Sequence, residues 1–355
     1  MAPRTSLAAG AGLAIGAVLI TLLLVELGCR LARGPETLLH WTNWVQDERL
    51  QMAGQNLGGR FVYEPTVGYV HRPGYSTGLL HYDELGFRVM PTLPEGAADA
   101  PLVLATGDSF TQGEEVADDE SWPARLQGLL RRRTVNAGVA AYGIDQTVLR
   151  TEQLAATLKP ALLIVGFIAD DLRRAEMSRT WGTPKPYFEL EGSRLVLRNV
   201  PVPRAPDPRS TLDVWQHALG WSVALDMLMT MKGWRYEWVI DHQRVLPRSG
   251  AERLACPLMQ RLAGLGIPTL VVAQYDFYVW VDAEFGAEQH RKSQVILRCA
   301  EQAGLAALDT YGALEKAVRA DGRGSVYGAW HPNAAGYRLI AEQIVAELRR
   351  RGMLD

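Results

Sequence analysis

The run "ALLIVGF", residues 161–167, is short, continuous and apolar. It reads as a central strand of a parallel sheet, buried on both faces. A parallel neighbour is reached only through a crossover, usually a helix, and the flanking sequence supplies that rhythm. Strand-like "LVLAT" (102–106), "TVNAG" (134–138), "GIPTLVVAQY" (266–275) and "LAALDTY" (305–311) alternate with helical patterns over 121–132, 145–158, 287–303 and 333–351. The alternation predicts an α/β protein, a three-layer α/β/α sandwich around a mostly parallel sheet.

Other parts of the chain break that rhythm. Residues 5–25, "TSLAAGAGLAIGAVLITLLLV", carry no charge and are long enough to cross a bilayer as a helix. We read residues 1–33 as an uncleaved membrane anchor, because a removed signal peptide has a shorter apolar core and a clear small-residue cleavage site. Cys29 closes an "ELGC" in which Glu26 stands where a lipoprotein box wants an aliphatic residue; Glu26 reads instead as a side chain snorkelling to the interface. Arg30, Arg33 and Arg49 against Arg4 tip the positive-inside count toward a cytoplasmic domain, which runs against an exported one.

Residues 34–100 read as an amphipathic juxtamembrane helix to about Gly59, followed by short strands and turns rich in Tyr, Gly and Pro. Residues 101–355 form the main domain, interrupted at about 181–250 by "KPYFELEGSRLVLRNVPVP", a hairpin pattern, and the Trp- and Met-rich "WSVALDMLMTMKGW". This insertion reads either as a wall of the substrate cleft or as a packing flap. Trp181, Tyr187, Trp215, Trp221 and Trp234 are its candidates for stacking on sugar rings, against the alternative of simple packing. Cys256 and Cys299, in helical-looking segments, are expected to be inert buried thiols, with pairing as the alternative in an exported domain. A net charge of −2 leaves no basic field for nucleic acid. No His/Cys/acid cluster has metal-ligand spacing and no glycine loop suits a nucleotide, so no cofactor is expected.

Ligands of an open parallel sheet sit beyond the carboxyl ends of its strands. Ser109, in "GDSFTQG", and Gly138, Asp170 and Asp276 all follow predicted strands, so the fold gathers them at one edge. A serine hydroxyl needs a base, and His331 in "WHPNAAGY" stands on a loop before the last helix. The plainer reading makes Asp108-Ser109 a turn, Gly138 a helix-entry glycine and His331 a cap-region residue.

The ordered blocks "GDSFTQG", "VNAGVAAYG", "GFIADDL" and "WHPNAAGY" resemble those of the SGNH (GDSL) hydrolases over residues 101–350, and "LGFRV" with the hairpin is similar to a membrane-anchored bacterial subgroup. The resemblance implies a flavodoxin-like sandwich and a serine esterase. In it Ser109 is the nucleophile, its own N–H and that of Gly138 are oxyanion donors, and His331 is the general base; Asp108, Asn136, Asp171 and Asp321 are supporting candidates. Glycine at 138 would let substrate approach closely.

Two positions depart from the family pattern. Asp170 replaces the usual Asn donor and would serve only if protonated, its pKa raised by burial and by Asp171 against Arg173 and Arg174 nearby; otherwise it turns away to cap the following turn, leaving a two-donor oxyanion hole. Gly328 replaces the Asp three residues before the histidine, leaving Asp321 and Asp309 as candidates to orient His331, or a Ser-His dyad. The implied function is acyl-ester hydrolysis, with O-acetyl groups of a cell-surface glycan as the expected substrate and an extracytoplasmic domain. The alternatives are an O-acyltransferase of surface polysaccharide and a catalytically degraded binding or assembly subunit.

Overall fold

The computed structural model describes residues 5–55, 59–97, 99–180, 183–204, 212–240 and 250–354. Contacts divide the chain into two units, Asn56–Arg204 with Gln243–Asp355, and Met1–Gln55 with Ala205–His242.

The larger unit is organised by five parallel strands in the spatial order Ala306–Asp309, Thr269–Ala273, Leu162–Phe167, Val103–Thr106, Thr134–Asn136. Leu162–Phe167 takes the middle, with every residue buried. Its side chains divide between the two faces as a period of two requires. Leu162 and Ile164 share a core with Trp122, Leu126, Tyr337 and Ile344, from helices Trp122–Leu130 and Ala334–Arg350. Val165 and Phe167 pack with Val148, Leu258 and Ile296, from helices Ile144–Leu158, Glu252–Ala263 and Ala283–Gln302. These are the two outer layers of an α/β/α sandwich.

After Val103–Thr106 the chain adds its next strand on one side, then Leu162–Phe167 on the other. This reversal opens a crevice at the carboxyl ends of the two strands. Gly107 leaves the first of them with φ +155, where a Cβ would meet Thr111 Oγ1 at 2.2 Å and the Gly166 carbonyl at 2.6 Å. The turn that delivers Ser109 therefore requires glycine at this position.

The first half of the insertion belongs to this unit. Tyr187–Glu191 and Arg194–Arg198 pair as an antiparallel hairpin, and Phe188 joins the core. Just before it, Lys185 is fully buried with Nζ 2.5 Å from Asp145 Oδ2. Cys256 and Cys299 are not free thiols: they form a disulfide joining helices Glu252–Ala263 and Ala283–Gln302. Sequence spacing alone does not show that these two helices pack side by side.

The second unit is helical. Its longest helix, Thr5–Arg33, contains one stretch, Gly10–Arg33, long and apolar enough to cross a membrane. A 3₁₀ turn, Pro35–Leu38, and helix Trp44–Gln55 follow, so the helix expected from residue 34 begins ten residues later. The second half of the insertion forms helices Val214–Leu219, Val223–Met231 and Arg235–Ile240. Glu26 does not snorkel: it is buried and accepts from Ser222 Oγ at 2.7 Å, Val223 N at 2.9 Å and Ala224 N at 3.1 Å, capping the Val223–Met231 helix. Arg30, also buried, donates to Glu26 at 2.7 Å and to the carbonyls of Thr37, His40 and Trp221, and its guanidinium lies 3.8 Å over the Trp41 ring. A buried charge is costly unless paired and hydrogen-bonded, and here each is both.

Candidate active site

Asp108 caps the one-turn helix Ser109–Gln112, its Oδ1 accepting from Phe110 N at 3.0 Å, and Gly113 closes the turn at φ +83. Ser109 is thereby lifted to the helix start, half-buried, while Asp108 beneath it is wholly buried. His331 comes from the loop before the last helix, which Asn333 caps by accepting from Ala335 N and Gly336 N at 3.0 Å. Tyr327 pins the same loop to the sheet through a 2.9 Å hydrogen bond to the Tyr275 carbonyl. His331 Nε2 lies 2.9 Å from Ser109 Oγ, and its ring packs on Phe110 with centroids 4.6 Å apart.

The carboxylate that meets His331 is Glu115, which sequence reasoning missed. Its Oε1 lies 3.0 Å from His331 Nδ1, and the carboxylate also accepts from Ala329 N at 2.8 Å and Trp330 N at 3.0 Å. Burial pushes this carboxyl up, but the hydrogen bonds from His331 and the Trp330 N–H outweigh it and hold it below the ordinary range. An ionised carboxylate only accepts, so Nδ1 carries the hydrogen and Nε2 is left to accept from Ser109.

Gly328 now has a physical reason. A Cβ there would meet Glu115 Oε2 at 2.6 Å, so the carboxylate from the Ser109 loop stands where a side chain at 328 would begin. Asp309 and Asp321 do not take the role. Asp309 accepts from Tyr275 Oη at 2.8 Å and lies 3.0 Å from His290, while Asp321 is exposed at the end of helix Tyr311–Asp321. The available signal was the doubled acid in "GEEV", six residues past the serine.

The oxyanion side differs from expectation. Gly138 N–H donates to Asn136 Oδ1 at 3.1 Å. A Cβ on Gly138 would meet Gln112 N at 2.4 Å, so the Ser109 turn requires glycine at this position. Asn136 fastens the same turn, its Nδ2 donating to the carbonyls of Thr111 at 3.1 Å and Gln112 at 3.3 Å. Ser109 N–H donates to no described residue.

Asp170 is not a neutral donor. Burial would raise it, but Arg174 and Arg173 overcome that and bring it down to about 2. Its oxygens lie 2.6 Å from Arg173 Nε and 3.0 Å from Arg174 Nε, so it folds onto its own helix. Arg174 also reaches Asp171 Oδ1 at 2.9 Å and Asp108 Oδ2 at 3.5 Å, one guanidinium between two buried carboxyls that burial pushes upward. Asp108 and Asp171 thus brace the floor under Ser109.

Beside His331, Trp330 is 55% exposed and Tyr278 41%, their rings 5.4 Å apart, with Phe277 edge-on to Trp330 at 5.7 Å. Of the aromatic candidates for stacking on sugar rings, Trp215, Trp221 and Trp234 belong to the helical unit, Tyr187 to the hairpin, and Trp181 lies outside the described residues. Among the described residues no group of His, Cys, Asp and Glu is arranged to hold a metal ion.

Residues 105–339 match the GDSL-like lipase/acylhydrolase family. The chain belongs to that family. Among curated proteins no match is found. Similar solved structures of this GDSL-family chain include LAE5, an alpha/beta hydrolase from the metagenome of Lake Arreo, Spain, at 15% identity and TM-score 0.44, covering 72% of this chain and 97% of that one. Axe2, an acetylxylan esterase from Geobacillus stearothermophilus, is 15% identical with TM-score 0.43, covering 70% and 94%. TesA is 16% identical with TM-score 0.41, covering 70% and 98%.

Proposed function

We propose that this GDSL-family chain is a membrane-anchored serine esterase that cleaves acyl esters, with O-acetyl groups of a cell-surface glycan as its substrate class. The observation that carries the reading is the unbroken relay from Ser109 Oγ through His331 to Glu115. Ser109 Oγ attacks the acyl carbonyl as His331 Nε2 takes its proton; Glu115 holds the ring and balances the imidazolium charge. Ser109 N–H meets the developing oxyanion. Collapse breaks the ester bond, and the imidazolium returns its proton to the leaving alcohol. Water then attacks the acyl-enzyme by the same route and releases the carboxylic acid.

The exposed Trp330 and Tyr278 faces beside His331 favour a sugar on the leaving-group side, since aromatic rings offer broad apolar faces with a polar edge. A sugar hydroxyl seated there can replace water and turn hydrolysis into acyl transfer. The Cys256–Cys299 disulfide supports an oxidising, extracytoplasmic setting, against the weak positive-inside count.

The test is p-nitrophenyl acetate hydrolysis and fluorophosphonate labelling by the full chain in detergent, with Ser109→Ala and His331→Ala beside it. Activity that falls to background in both variants, with labelling lost in Ser109→Ala, is the expected result. A folded, native chain that neither hydrolyses nor labels would overturn the esterase and transferase readings together.

A further inference from the structure

The Val223–Met231 helix inverts the ordering of a soluble surface helix. Its one charged residue, Asp226, is buried and held by Arg33 at 2.5 Å and Arg235 at 2.9 Å, while its remaining residues are apolar apart from Thr230. Leu228 and Met231 on this helix are 48% and 81% exposed, and Val214 and Trp215 on the preceding one 78% and 68%. Trp234 just beyond is exposed as well. A helix that is apolar nearly all round belongs in a core or in lipid, and this one is covered by no described residue along that face.

Its attachment says what covers it. Glu26 and Arg30, in the last turns of the apolar Gly10–Arg33 stretch, cap its first turn and bind the Trp221 carbonyl before it, while Arg33 pairs with Asp226. The exposed face therefore begins where the spanning stretch ends. That is the depth at which Trp and Arg gather in membrane proteins, and Trp41, Trp44 and Trp221 cluster there around Arg30 and Arg33.

We propose that helices Val214–Leu219 and Val223–Met231 are an interfacial collar that lies in the headgroup layer beside the anchor, its apolar face in lipid. The membrane contact is then a rigid two-part device rather than a single helix on a tether. The inference rests on the anchor reading, and its test separates the two. The full chain is reconstituted in phosphatidylethanolamine/phosphatidylglycerol vesicles with or without brominated acyl chains. A single environment-sensitive nitrobenzoxadiazole label is placed by Met231→Cys or, as a second site, Val214→Cys, in a Cys29→Ser background with the disulfide left oxidised. Leu19→Cys reports on the anchor and Leu129→Cys on the catalytic unit's surface.

The expected result is blue-shifted emission with loss of intensity in brominated lipid at 231 and 214, as at 19, and neither change at 129. If 19 is quenched while 231 and 214 behave like 129, the anchor stands and the collar is wrong. If 231 and 214 are shielded from aqueous iodide but untouched by brominated lipid, a protein partner covers the face and the lipid proposal fails. If 19 is itself unquenched, the anchor reading fails first.

Discussion

On the base side of Ser109 every polar atom of the relay has its partner, down to the two backbone N–H groups that steady Glu115. On the oxyanion side the same kind of atoms are spent elsewhere: Gly138 N–H on Asn136, and the Asp170 carboxylate on Arg173 and Arg174. Both sides depart from the family pattern at one residue. The Gly328 departure is compensated in space by Glu115; the Asp170 departure is neutralised by arginines but supplies no donor. A missing residue in a motif is therefore not a missing group until the space it would fill has been inspected.

The largest effect that tests this contrast is on the base side. Glu115→Ala is expected to lower kcat by about 10,000-fold, as loss of a triad acid does elsewhere. Combining it with Gly328→Asp vacates the clashing carboxylate and supplies one from the family's usual position. Rescue of that loss on the order of 10- to 100-fold is expected, a coupling that independent sites would not show. An additive double variant would mean that Glu115 and position 328 do not share one space.

On the oxyanion side the change is smaller and of opposite sign. Asp170→Asn removes a fixed negative charge and releases an amide from its ion pairs, and kcat is expected to rise about tenfold, short of the roughly 100- to 1000-fold that a well-aimed donor contributes. A fall in kcat with unchanged folding would show that the Asp170 arginine pairs hold the site together.

The smallest effect is on stability and follows from the sign of one shift. Glu115 lies below its ordinary 4.5 in the folded chain, so its contribution is fully present above that value and is lost as pH falls through the folded pKa. The melting-temperature deficit of Glu115→Gln should therefore be present at pH 7 and shrink as pH drops below 4.5. A deficit constant across that range would mean the carboxylate's ionisation does not matter to folding.

Much of the framework was legible from local pattern. "ALLIVGF" is a buried central strand because a residue buried on both faces must be apolar at every position, and such a run is visible without any partner. The placement of Ser109 and His331 was legible for a related reason: strand ends and helix starts are local events, and the sheet collects them at one edge. The hairpin at 187–198 was readable from its alternation.

The rest depended on which distant segments meet. Glu115 lies 216 residues from His331, and no spacing rule links an acid in one loop to a histidine in another. Cys256 and Cys299 became a disulfide only because two helices pack side by side, and Glu26 became a helix cap only because residues 222–224 arrive at it from nearly two hundred positions away. Composition and periodicity alone determined what kind of layers this chain builds and at which sheet edge its strand-end residues gather. Which side chains share a hydrogen bond was settled by tertiary packing, since a carboxylate's role is set by the donors brought within 3 Å of it and not by its neighbours in the chain.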